Sequence, residues 1–322
     1  AEKGAAPITH IVAVPQTAYV LELASGGKTV LTAVRNMGAL VTSFTLNGED
    51  LILNEPSKES GMQGSTFWPS PQSTWSWPPP PTISGGWEFD GGSGRAAQGG
   101  GSYDAQANDA KKEVTFTSQP DEKLGIVVKK SFSVDEDRKA MVMRYTMELT
   151  NGSKPIKLAP WEKTNLPKGS FIFWKHGKSE QIERSDNMAF KPTKKTTTPK
   201  GDVFAYDHAK EGAHVNGTKI AANTTSNWVG SVVGKSLFVK VFQAVPAGAT
   251  APGEGDLAVF SRPGFTSIEN QGAYGEITAE KPSVYVVCWY ARPLPDGAAA
   301  KADDKKLMDA VDSILKLGCP KK

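Results

Sequence analysis

Apolar and polar residues alternate one by one through much of this chain. Met141, Met143, Tyr145, Met147 and Leu149 fall on one side of an extended segment, with Arg144, Thr146 and Glu148 on the other. Leu237, Val239 and Val241 repeat the pattern, as do Tyr19, Leu21 and Leu23 near the start and Val114 with Phe116 further on. A period of two marks strands with one buried face. Leu257 to Phe260 and Val284 to Tyr290 add short apolar runs of strand length. Asn47-Gly48 and Asn151-Gly152 follow strand-like runs as turn signals. A helical period is clear in one place, from about 301 to 317. There Leu307, Met308, Val311, Ile314 and Leu315 lie three and four apart, with Asp303 and Asp304 at the start and Lys316 and Gly318 at the end. We therefore expect a mainly β protein, a large antiparallel β-sandwich with a C-terminal helix, forming a single domain over 1–322.

Two stretches break the alternation. Residues 61–110 begin with a run of tryptophan and proline and continue into a glycine-rich tract, and they read as a loop insertion. Residues 176–215 mix Lys, Thr, Pro and His without a period. No fixed repeat length emerges, which argues against a propeller or a solenoid.

Composition supports this picture and narrows the function. The 322 residues include 32 glycines and 22 prolines, about one residue in six, as a turn-rich fold requires. Lysine and arginine number 37 against 34 acids, a net charge of +3, so a nucleic-acid partner is a poor first choice. No apolar run is long enough to span a membrane as a helix. The two cysteines, Cys288 and Cys319, either form one bridge or remain free thiols. We expect the bridge, because it would pin the terminal helix to its strand. The chain opens Ala1-Glu2-Lys3-Gly4. With eight tryptophans and the expected bridge, this leans towards a mature periplasmic or secreted protein.

Chemistry concentrates in a few segments. Trp75, Trp77 and Trp87 belong to an aromatic group stiffened by prolines, and indole faces of this kind stack on sugar rings or anchor a protein partner. The segment Ala159 to Asn165 gathers Trp161, Glu162, Lys163, Thr164 and Asn165, and alternation places Trp161 and Lys163 on one face with Glu162 and Thr164 on the other. Ser267 to Ile277 sets Glu269 beside Asn270 and Gln271, with Tyr274 and Glu276 following. A carboxylate beside two amides suits hydroxyl recognition, and Glu269 could serve as a general base if burial raises its pKa. Glu276 competes with it for that role. Arg35, after an early strand, carries a fork of donors suited to a ring oxygen or a sugar carboxylate. His208 and His214 lie six apart, which is no zinc spacing. Neither GxSxG, a P-loop nor GxGxxG is present. We expect no metal and no cofactor.

Taken together, Arg35-Asn-Met-Gly-Ala39, the segment TFWPSPQSTWSWPPP, Ala159-Pro-Trp-Glu-Lys-Thr-Asn165 and Ile268-Glu-Asn-Gln-Gly-Ala-Tyr-Gly-Glu-Ile277 resemble a bacterial domain family of undefined function. That family is related to galactose mutarotase and aldose 1-epimerase, and the resemblance covers roughly residues 10–292. It implies a mutarotase-like supersandwich with a sugar or oligosaccharide as ligand, an acidic sugar among the candidates. In mutarotases a late-strand glutamate is the base on the anomeric hydroxyl, an early arginine holds the sugar and a histidine is the acid towards the ring oxygen. Glu269 and Arg35 match the first two. The middle motif offers Glu162 and no histidine, and His176 is the next histidine along the chain. The resemblance thus makes Glu269, Glu162 and His176 the catalytic candidates. The binding candidates are Arg35, Trp75, Trp77, Trp87, Trp161, Lys163, Asn165, Asn270, Gln271 and Tyr274. The other reading is a non-enzymatic envelope or assembly protein that binds a protein partner through its tryptophan loop.

Overall fold

The computed structural model describes residues 12–14, 18–55, 62–76, 79–84, 101–175, 189–190, 194–198, 201–213, 217–224 and 226–320. Two large sheets face each other. The first runs, in spatial order, Val12–Val14, Ala18–Ala24, Lys28–Val34, Leu40–Leu46, Ser65–Ser70, Ile156–Pro167, Phe265–Gln271, Leu257–Arg262, Thr218–Ala222 and Ala189–Phe190. Two short strands, Glu49–Asp50 and Gly275–Ile277, pair onto its Leu40–Leu46 and Ile156–Pro167 strands. The second sheet runs Lys194–Thr198, Gly201–Asp207, Phe171–Lys175, Trp228–Val233, Ser236–Phe242, Ser283–Pro293, Ala140–Leu149, Ile126–Asp135, Glu113–Thr117 and Asp104–Asn108. Every pairing among these strands is antiparallel except that of Ala189–Phe190 with Thr218–Ala222.

The alternation does what the sequence pattern predicts. Met141, Met143, Tyr145 and Met147 enter the core between the sheets, while Arg144, Thr146 and Glu148 stay partly exposed. Phe44 of the first sheet meets Phe238 and Trp289 of the second with ring centroids 5.2–5.3 Å apart. Asn47 and Gly48 both take positive φ, 52° and 83°, and close a two-residue hairpin between Leu46 and Glu49.

The expected loop at 61–110 is not a loop throughout. Ser65–Ser70 is a central strand with all six residues buried, and Asp104–Asn108 is an edge strand of the second sheet. Proline hides the first of these from a sequence reading, because it cannot donate to a ladder and rarely sits in a central strand. Here Pro69 lies directly opposite Pro160 in a non-hydrogen-bonded pair, so the ladder between the two strands needs no donor from either, and on its other side Ser65–Ser70 pairs with Leu40–Leu46 only through Ser65 and Val41 among the described residues. Their carbonyls are used elsewhere: Gly272 N donates to Pro160 O, and Trp75 Nε1 to Pro69 O at 2.6 Å.

The helix spans Lys305–Leu317, four residues shorter at its start than its period suggests. Asp304 is the N-cap, its carboxylate accepting from Leu307 N at 2.9 Å. Gly318 has φ 67° but ψ −159°, so it ends the helix outside the left-handed helical region. Leu307, Met308, Val311 and Ile314 pack on the outer face of the second sheet, against a cluster holding Val239, Val241, Cys288 and Tyr290. The Cys288–Cys319 disulfide and a bond from the Tyr290 hydroxyl to Gly318 O fix its far end. No helix among the described residues is long and apolar enough to cross a membrane.

Candidate functional site

The Ile156–Pro167 strand lies at the centre of the first sheet, between Ser65–Ser70 and Phe265–Gln271. Its alternation sorts the candidate residues onto two faces. Trp161, Lys163 and Asn165 point away from the second sheet, and Glu162 and Thr164 point towards it. Across the ladder Trp161 pairs with Trp68 and Gln271, Lys163 with Thr66 and Glu269, and Glu162 with Phe67 and Asn270.

The inner face carries a closed polar network. The Glu162 carboxylate accepts from the Tyr145 hydroxyl and Trp289 Nε1, both at 2.9 Å, from Asn270 Nδ2 at 3.1 Å and from Lys240 Nζ at 3.2 Å. Lys240 also donates to Asn270 Oδ1 and to the Thr164 hydroxyl. Asn270 Nδ2 reaches Tyr285 as well. Neither Glu162 nor Lys240 has any solvent exposure. Burial pulls the Lys240 ammonium below the usual lysine range, and Glu162 only partly opposes it. Burial and then the Glu162 charge push the Tyr145 hydroxyl well above its ordinary value, so it remains a donor. Four donors fill the lone pairs of Glu162. The residue is accounted for by the core, and Asn270 with it.

The outer face is different. Glu269 accepts from Lys219 Nζ and from the Ser267 hydroxyl, each at 3.0 Å, with Lys163 opposite in the ladder. A general-base role for Glu269 is conditional on burial raising its pKa. Burial does push upward, but the charges of Lys219 and Lys163 and the two hydrogen bonds outweigh it and hold the carboxyl below its ordinary value of 4.5. Glu269 is an ionised acceptor with lone pairs to spare, not a protonated acid. Lys163 donates to Asn165 Oδ1 at 2.8 Å, and Asn165 Nδ2 reaches the Gln63 and Gly64 carbonyls.

The same outer face carries buried polar atoms with no hydrogen-bond partner among the described residues: Trp161 Nε1, Gln271 Oε1, and the hydroxyls of Thr66 and Ser70. All four residues are at most 3% exposed. Each such orphan costs about 1–3 kcal/mol, and folded proteins seldom keep several together.

The aromatic residues there wall the strip and offer no open platform. Trp68 meets Trp161 at 5.1 Å and 89°, Lys219 Nζ lies 5.2 Å from the Trp161 ring centre, and Trp75 abuts Trp68 edge-on. Trp75 is 4% exposed, so it presents no free face for stacking.

The structure therefore brings together Trp161, Lys163, Asn165, Glu269 and Gln271, with Trp75 adjoining. It sends Glu162 and Asn270 to the opposite face. Arg35 sits in a short 3₁₀ turn, Arg35–Met37; no hydrogen bond or ion pair joins it to Glu269, and its Nε has no partner among the described residues. Tyr274 is half-buried in the connection to Gly275–Ile277, tied by its amide to Ala249 O, and Glu276 is exposed. Trp77, Trp87 and His176 lie outside the described residues. His208 is used by the fold: its Nδ1 accepts from Gly169 N and its Nε2 donates to Arg262 O. Burial lowers its pKa, the Arg262 carbonyl opposing.

Sequence reasoning missed Thr66, Ser70, Ser267, Lys219 and Lys240. A signal existed for Lys240, a lysine inside the apolar run Leu237 to Phe242. A lysine in a fully buried strand requires a carboxylate or amide facing it.

No protein-family model matches the sequence, and no curated protein matches it. Solved structures do match. A candidate aldose 1-epimerase from Escherichia coli shares 9% identity, with 86% of this chain and all of that one covered, at a TM-score of 0.52. A protein from Synechocystis shares 8%, covering 90% and 100%, at 0.52. The GalM/aldose epimerase homologue from C. elegans shares 11%, covering 86% and 99%, at 0.53. At such identities the likeness is one of architecture alone: the two-sheet sandwich of this chain is similar to the fold of these structures.

Proposed function

We propose that the outer face of the first sheet binds a sugar or oligosaccharide, in a protein of the periplasm or the extracellular space. One observation carries this reading: four unpartnered polar atoms lie on one buried face that also holds an ionised carboxylate, on a fold similar to that of aldose epimerases. A polyol supplies what these atoms lack, since each hydroxyl both donates and accepts. Glu269 and Gln271 act as acceptors, Trp161 Nε1 as a donor, and Thr66 and Ser70 adapt to either. The disulfide supports an oxidising compartment.

Binding without efficient epimerisation fits this face best. Ring opening needs a base on the anomeric hydroxyl and an acid on the ring oxygen. Glu269 is ionised, and the segment Trp161 to Asn165 on the strand beside it carries no histidine. Calorimetry on a panel of methyl glycosides and short glycans should find a ligand, while polarimetry on glucose and galactose should show little acceleration. Silence across the panel would refute the sugar reading, and fast mutarotation would refute the missing acid. Trp68 and Trp75 are both buried, so neither offers the exposed anchor that the protein-partner reading needs.

A further inference from the structure

Trp161 and Gln271 are directly opposite one another in the ladder, on the outer face of the first sheet. Side chains in such a pair leave the backbone roughly 4.5–5.5 Å apart at their Cβ atoms. One presents an unpartnered N–H donor, Trp161 Nε1, and the other an unpartnered acceptor, Gln271 Oε1. Both residues are almost wholly buried, at 1% and 3% exposure. Neither group finds its complement in the other, although each would be satisfied by it. A single group that accepts from the indole and donates to the amide satisfies both at once. Among the parts of a sugar, only a free hydroxyl does this through one atom: a ring oxygen or an ether accepts but cannot donate, an ammonium donates but cannot accept, and an acetamido group divides the two roles between separate atoms.

We propose that Trp161 and Gln271 together read one free hydroxyl of the ligand, and so determine which position of the sugar must be unsubstituted. This rests on the sugar-binding reading above. It adds a rule of selection: sugars methylated or deoxygenated at that position are rejected. The indole acts here through its N–H edge. Its ring is already engaged by Lys219 at 5.2 Å and by Trp68 at 5.1 Å, so stacking on Trp161 is not the source of selectivity. A deoxy analogue leaves a buried donor and a buried acceptor unpaired again, a penalty of about 30-fold or more in affinity.

The test uses the full chain and calorimetry with the methyl glycosides of glucose, galactose, mannose and glucuronic acid, each beside its monodeoxy analogues. For whichever parent binds, one deoxy position should cost the wild type at least tenfold. Trp161→Phe keeps a ring and removes the donor; Gln271→Met keeps the length and removes the acceptor. Each variant should bind the parent more weakly and should bind the parent and that deoxy analogue within threefold of each other. Circular dichroism melts identify any variant that fails to fold, and the other variant then carries the comparison. Both variants retaining the full wild-type discrimination would overturn the inference while leaving sugar binding intact. Absence of binding to every parent glycoside would overturn the sugar reading and the inference with it.

Discussion

Lys240→Met isolates the inner polar network. The substitution removes the ammonium from a position with no solvent exposure and breaks three contacts, to Glu162, Thr164 and Asn270. Methionine fills similar volume, so cavity formation is a minor part of the loss. The dominant effect is electrostatic: Glu162 keeps three neutral donors but loses its countercharge inside the core. Removing one member of a buried ion pair costs about 3–5 kcal/mol. That is a large part of a typical total of 5–15 kcal/mol. With a urea m-value of about 3 kcal/mol/M, the denaturation midpoint should fall by about 1–1.7 M. The double variant Lys240→Met with Glu162→Gln should recover at least half of the loss. The amide keeps an acceptor for Tyr145 and Trp289 and carries no charge. Sugar affinity should not change in either variant, because the network faces away from the binding strip. A single-variant loss under about 1 kcal/mol would refute this reasoning, since it would fall within the range of exposed pairs. A double variant no more stable than the single would also refute it, because the two charges would then not be coupled.

Two further outcomes follow from the same geometry. Glu269 has a folded-state pKa below its ordinary 4.5, so its pairing contributes stability above that value and loses it as pH falls through the folded pKa. Glu269→Gln should therefore show a shallower loss of melting temperature below about pH 4.5 than the wild type; equal acid slopes would contradict the pairing with Lys219. Removing the Cys288–Cys319 bridge by a double alanine substitution should cost about 3–4 kcal/mol from chain entropy across its 31-residue separation, read as a urea midpoint shift. An unchanged midpoint would show that helix packing alone holds the C-terminus.

Much of the architecture is legible as alternation because burial of one strand face leaves a period of two in the sequence. The split of Trp161 and Lys163 from Glu162 and Thr164 follows from that alone. Which face would meet the proposed ligand does not follow, because both faces of the Ile156–Pro167 strand are buried and polar. Only the partner strands distinguish them, and the decisive residues, Lys219 and Lys240, lie more than 50 positions away from Trp161 in the chain. Ser65–Ser70 was hidden by Pro69, which is tolerated because its nitrogen points away from Pro160 and the Leu40–Leu46 strand pairs with this one only at Ser65 among the described residues. The direction of the Glu269 pKa was equally out of reach, since it is decided by the balance of burial against two lysines brought in from other strands.

The strand with a polar network on each face has a consequence for how such a chain can vary. A shift of one residue would exchange the two faces, placing Glu162 where Trp161 stands and stranding Lys240 without its carboxylate. Insertions and deletions of one residue between Ala159 and Asn165 should therefore be absent among working descendants of this sequence. Change there must come by substitution in facing pairs. Trp161 should vary with Gln271, Lys163 with Glu269, and Glu162 with Asn270 and Lys240, so that two separate inheritances are written in alternate letters of one short segment.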